Sequence, residues 1–156
     1  MFEFTATAKT LRGYVDEIEK LQKEEKDAPA LDLAPLRTSI DRLQKAADAY
    51  DRAWTQWSAR GTALDRANQV ELNRLLYTSE RAFKYDAGLP KREWFKHLAY
   101  APGFYTGYGV KTLPGIREGL EQKAWDEPKK YVPIVAVAID KLAAQVTRAS
   151  SLIAGR

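Results

Sequence analysis

The chain has 156 residues, 45% hydrophobic and 29% charged, and its 25 basic and 21 acidic side chains leave a net charge of +4. That length suits one domain with a single core, and the balance is neither poor enough in apolar groups for disorder nor rich enough for membrane burial. Cysteine is absent, which excludes disulfides, thiolate nucleophiles and thiolate metal sites but leaves the compartment open.

The first segment places Phe4, Ala8, Leu11, Val15 and Ile18 at steps of four and three, the repeat of one helical face. Asp16 and Glu19 stand four residues before Lys20 and Lys23, the favourable order on an exposed helix surface. The charged run KEEKDAP ends in Pro29, so this helix is expected to stop near Glu25 to Asp27. Asp32 is placed to cap a second helix with Pro35 in its first turn, where the missing amide has no partner to lose. Leu33, Leu36, Ile40, Leu43, Ala47, Tyr50, Trp54 and Trp57 then step by three and four, the strongest pattern in the chain. Its thickening from leucine to aromatic side chains marks Tyr50, Trp54 and Trp57 for packing or for contact with a second copy. Gly61 is the expected terminator.

A third helix is expected after Thr62, running to about Tyr85 with Leu64, Leu72, Leu75, Leu76 and Phe83 inward. Asp86, Gly88 and Pro90 end it, and periodicity fails until Pro114 across a stretch dense in glycine, proline and aromatics. So long an irregular segment in a compact domain is usually functional or packed against something. Pro114 opens a short helix. Asp126, with Pro128 just inside, caps a long last helix carrying Val135, Ile139, Leu142, Val146, Ala149 and Ile153 on one face. Its alanines let a neighbour approach closely, so Ala136, Ile139 and Ala143 join the packing or dimer-contact candidates. Pro133 should kink this helix or delay its start. The expectation is an all-α chain, one domain over residues 1–156, with a four-helix-bundle-like fold and a long irregular loop before the last helices.

No catalytic chemistry assembles from these residues. The single histidine, His97, has no partner pattern, and HExxH, GxSxG and a P-loop are absent. His97 reads as a packed residue hydrogen-bonded through its ring. No metal ligand and no cofactor is assigned within the chain. Lys91, Arg92 and Lys96 interleave with Trp94 and Phe95 in the manner of a nucleic-acid patch, but no recognition motif surrounds them. They read as a solvated loop with buried rings, and no nucleic-acid partner is expected. The longest apolar stretch, Val132 to Ile139, is broken by Pro133 and is shorter than the roughly 20 residues of a spanning helix, so no membrane contact is expected. The N-terminus lacks the pattern of a secretory signal; localisation stays open, and export of a longer parent would place its signal upstream.

Five motifs carry a resemblance: SERAF (Ser79 to Phe83), GLP (Gly88 to Pro90), WFKHLAYAP (Trp94 to Pro102), Tyr108, and LPGI (Leu113 to Ile116). With two long helices before them and an alanine-rich helix after, the chain resembles the transferrin receptor-like dimerisation domain, the final domain of glutamate carboxypeptidase II and its relatives. FEF followed by LRGYVDEIEKL is similar to the family's junction after its peptidase domain. The resemblance implies self-association as a homodimer and attachment to an upstream protease-like domain that holds two zinc ions. It also implies that the irregular loop reaches that domain's active site, where a lysine-tyrosine pair binds the carboxylate of a C-terminal glutamate. The tyrosine of that pair falls on Tyr108, the substrate-contact candidate, and the lysine falls on Gly107.

Two functions follow. The first is a dimerisation module of a zinc metallopeptidase of the M28 glutamate carboxypeptidase type, completing its substrate pocket. The second is a free-standing helical protein-protein interaction module, and Met1 reads equally as a natural start or as one added to a fragment. Neither makes this chain an enzyme by itself.

Overall fold

The computed structural model describes residues 2–107 and 109–155. Its elements are α1 (Phe4–Glu24), α2 (Ala34–Arg60), α3 (Arg66–Tyr77), a 3₁₀ turn (Ser79–Phe83), β1 (Tyr100–Pro102), β2 (Val110–Thr112), α4 (Pro114–Glu121) and α5 (Asp126–Ala154). The all-α, bundle-like architecture is as the periodicity implies.

Helix α5 is the hub, packing most extensively on α2 and also against α3, the 3₁₀ turn and α4, while α1 lies along α2. The reason lies in its sequence. Val132, Val135, Ala136, Ile139, Ala143 and Val146 are all buried, so α5 meets neighbours on more than one side, and its alanines keep those neighbours close. Each fully buried leucine or isoleucine on the facing helices, such as Leu36, Ile40 and Leu43, contributes about 1.5–3 kcal/mol of transfer free energy. Exposed ion pairs join the helices at their rims, with Arg12–Asp41 at 2.9 Å, Arg42–Asp140 at 3.0 Å and Arg148–Glu71 at 2.9 Å. Pairs of this kind contribute little each and act mainly on register. Within α1 only one of the two expected i,i+4 pairs forms, Glu19 with Lys23 at 2.8 Å, while Asp16 turns to Arg37 on α2 at 3.0 Å.

The helix ends differ from expectation in four places. Leu33 occupies the capping position of α2, and Asp32, one residue earlier, accepts the Ala34 amide at 2.9 Å. Helix α3 begins only after Asp65, whose carboxylate takes the Asn68 amide at 2.9 Å. It ends at Tyr77 rather than near Tyr85: the Thr78 amide makes the last bond to a carbonyl four residues back, Arg74 O (3.1 Å), and the Arg81 amide then reaches only three residues back, to Thr78 O (2.9 Å). The chain thereby tightens into the 3₁₀ turn, which still drives Ala82 and Phe83 inward. Finally, α5 starts at Asp126 without a side-chain cap and runs through Pro133 without a break. Pro133 and Lys129, whose carbonyl loses its amide partner, both lie on the exposed side, where solvent replaces the bond. Asp126 and Glu127 therefore act as first-turn charges on the helix dipole. At the other end of α2, Gly61 takes the left-handed conformation of a terminator (φ 65°).

Candidate functional site

Residues 84–107 and 109–113 form a folded platform. Lys84 and His97 form one bridge and Leu89 and Arg92 another. The Tyr85 amide donates to Lys96 O (2.8 Å), the Leu98 amide to Phe83 O (3.0 Å) and the Leu113 amide to Ala99 O (2.8 Å). These bonds deliver the chain into an antiparallel hairpin in which Tyr100 faces Thr112, Ala101 faces Lys111 and Pro102 faces Val110. Gly88 makes the first reversal possible. It has φ 71°, and a Cβ there would lie 2.2 Å from the Glu93 carbonyl oxygen, so only glycine fits. Tyr131 of α5 pins the same turn from below, donating its buried hydroxyl to Gly88 O at 2.7 Å. Burial pushes that phenol up to about 12.

Under the hairpin sits a buried ion pair. Arg92 and Glu118 are both buried, and the guanidinium donates to the Glu118 carboxylate and to the Pro102 carbonyl. The second carboxylate oxygen of Glu118 accepts the Phe104 amide at 2.7 Å. The guanidinium also lies 5.4 Å from the Phe95 ring centroid and 5.8 Å from that of Phe104, within cation–π range. One arginine thus fastens β1, the start of the hairpin loop and α4 together. The loop is closed again by Gly103 N to Gly109 O at 2.7 Å and Gly107 N to Gly103 O at 3.1 Å.

The outward side of this platform is aromatic. Tyr105 is 75% exposed and Trp94 72%, with Phe104 and Val110 also exposed. The expectation of a solvated loop with buried rings is therefore corrected at two residues. Arg92 is the buried one because its two terminal nitrogens meet the Glu118 carboxylate and the Pro102 carbonyl, and Trp94 is the exposed one because the tight turn from Leu89 to Phe95 turns it away from the core.

Tyr108 lies outside the described residues. Gly107 has φ 61°. Lys111, the nearest lysine in β2, is held by Glu121 at 2.7 Å. Among the packing or dimer-contact candidates, Tyr50 and Ile139 are fully buried and Ala136 and Ala143 nearly so, all within this chain's own core. Trp54 and Trp57 are half-buried, stacked edge-on at 5.2 Å. His97 is packed between Phe83 and Tyr100, its ring 4.2 Å from that of Tyr100. Its Nδ1 accepts the Tyr100 amide at 3.4 Å, and its Nε2 lies 3.6 Å from Glu80. Burial holds the imidazole below its ordinary value, against the opposing pull of Glu80. No three His, Cys, Asp or Glu side chains come together as a metal-holding group among the described residues.

The Arg92–Glu118 pair was not legible in the sequence, although one signal existed. Gly115 and Gly119 stand four apart, and Cβ atoms there would come within 2.3 Å of Tyr131 and 2.5 Å of Pro128. The two glycines mark α4 as pressed closely on α5, but they do not say which of its acids, buried Glu118 or exposed Glu121, turns inward.

Comparison with known proteins agrees with this architecture. Residues 31–147 match the transferrin receptor-like dimerisation domain, and the chain belongs to that family. It is 30% identical over 138 residues to a probable glutamate carboxypeptidase of Arthroderma benhamiae, covering 88% of this chain and 19% of that protein. It is 33% identical over 121 residues to a probable glutamate carboxypeptidase of Arabidopsis thaliana, covering 77% of this chain and 16% of that protein. An inactive zinc metalloprotease of Schizosaccharomyces pombe is 27% identical over 121 residues, 73% of this chain and 15% of that protein. The chain thus spans under a fifth of the length of these three relatives.

Proposed function

We propose that this chain is the homodimerisation module of a glutamate carboxypeptidase-like zinc metallopeptidase, and that its hairpin loop completes the substrate pocket of an adjoining catalytic domain. The observation that carries the reading is the mounting of the loop. A rigid buried base, Arg92 with Glu118, presents Phe104 and Tyr105 outward, and an aromatic tip on a fixed scaffold is what a second body requires of a contact loop. Tyr108 would donate its hydroxyl to the substrate. With Gly107 in place of the family lysine, no ammonium joins it there, so selection for a terminal glutamate would be relaxed.

The zinc ions of such a parent would be held by residues outside this chain, where they would activate the attacking water. This chain would bind and orient, and would not itself move a proton. Self-association would use what the fold leaves outward. Val70 and Tyr77 on α3 and Val137 on α5 are each more than half exposed, and Tyr77 and Val137 line adjoining depressions that share Lys84. The partly open Trp54–Trp57 pair is the second patch. Light scattering across a concentration series tests the reading. Twice the chain mass for the wild type, returning to the chain mass in V70D/Y77D/V137D, supports it; a strict monomer at every concentration removes self-sufficient dimerisation.

A further inference from the structure

Between α1 and the segment running from the 3₁₀ turn into β1 lies a pocket of about 350 Å³, within the size range of small-molecule sites. Its wall includes Phe4, Tyr14, Phe83 and Tyr100, with the His97 ring beside them and the Glu80 carboxylate on the open side. No lysine or arginine lines it, in a chain that carries 25 of them and a net charge of +4. The lining thus carries one carboxylate among aromatic rings, while Arg81, Lys84 and Lys96 lie in the adjoining depression that shares Glu80 and His97. Glu80 is fixed there by the Tyr100 hydroxyl, which donates to it, and burial keeps the neighbouring imidazole from adding a competing positive charge at neutral pH. Aromatic rings around a single carboxylate are the chemistry that receives an organic cation, through the ring quadrupoles and one charge contact.

We infer that this pocket is a binding site for a small organic cation, an ammonium group on an apolar aryl or alkyl body. The apolar body enters against Leu11 and Leu142, and the ammonium stays at the mouth beside Glu80 and the tyrosines. The pocket borders β1 through Tyr100 and shares Glu80 and His97 with the depression beside Tyr77, but its apolar interior contains neither the hairpin tip nor Val70, Tyr77 or Val137.

Phenethylammonium is the probe, and its neutral analogue 2-phenylethanol is the control. Each is titrated into the ¹⁵N-labelled chain at pH 7.5, and the amide shifts of Thr10, Ala99 and Tyr100 are followed. Saturable binding of the ammonium is expected, with the alcohol about tenfold weaker. Glu80→Gln should weaken the ammonium by about three- to tenfold and leave the alcohol unchanged. Thr10→Trp, at an exposed position on the rim, should close the mouth and remove both without disturbing the fold. Absence of saturable shifts at millimolar ammonium, equal affinity for the alcohol, or indifference to Glu80→Gln in a chain with wild-type circular dichroism would each overturn the assignment.

Discussion

Arg92 and Glu118, 26 positions apart, share one buried hydrogen-bonded contact, and through it the first strand, the hairpin loop and α4 are tied into a single unit. Removing one partner leaves an uncompensated buried charge. Arg92→Ala or Glu118→Ala should each cost about 3–5 kcal/mol in urea unfolding. The paired apolar replacement R92M/E118L should cost far less, while freeing the Phe104 amide, which hydrogen exchange would register as faster exchange across residues 103–109.

Tyr131 offers a gentler probe of the same platform. Tyr131→Phe deletes only the bond to Gly88 O and should cost about 0.5–1.5 kcal/mol. Gly115→Ala pushes a Cβ to within 2.3 Å of the Tyr131 ring, and overpacking of this kind costs about 1–3 kcal/mol. Thermal unfolding of both variants should rank Gly115→Ala as the worse.

Pro133 sits inside α5 with its missing bond on the exposed side. Pro133→Ala restores an amide donor to Lys129 O and removes a residue disfavoured in helices by up to about 3 kcal/mol relative to alanine. The variant should be more stable, read as a higher urea midpoint at unchanged m-value. A lower midpoint would mean that the proline ring packs better than its exposure suggests.

His97 sets a pH dependence whose sign is fixed by burial. The folded chain binds the proton less readily than the unfolded chain, because burial depresses the imidazole below its ordinary value. Its contribution is complete above the ordinary histidine value of about 6.5. It is lost as the pH falls through that value toward the depressed one. Urea midpoints measured from pH 8 to 5 should decline over that window, and His97→Phe should flatten the decline. Glu19, held low by Lys23 and Arg37, and Glu71, held low by Arg148, act at lower pH, where carboxylates titrate, so the histidine step is separable.

The long helices were legible because their burial repeats locally. Phe4 to Ile18 and Leu33 to Tyr50 keep the period of one helical face, and the structure buries those residues. The end of α3 is not legible because the chain tightens from α to 3₁₀ geometry after Thr78 while apolar side chains continue inward to Phe83. Pro133 was read by its local cost, yet tertiary packing along α5 outweighs one missing bond on a wet face.

The sequence by itself determined the helical class, the absence of a thiol or paired-histidine chemistry and, through its motifs, the family, because these depend on residue type and short-range spacing. Tertiary structure alone decided which side of the irregular segment faces out. Arg92 is buried and Trp94 exposed because a glutamate 26 residues beyond Arg92, on a helix pressed against α5 by two glycines, supplies the charge that makes burial affordable. No local pattern encodes that pairing, and the outward aromatic loop depends on it.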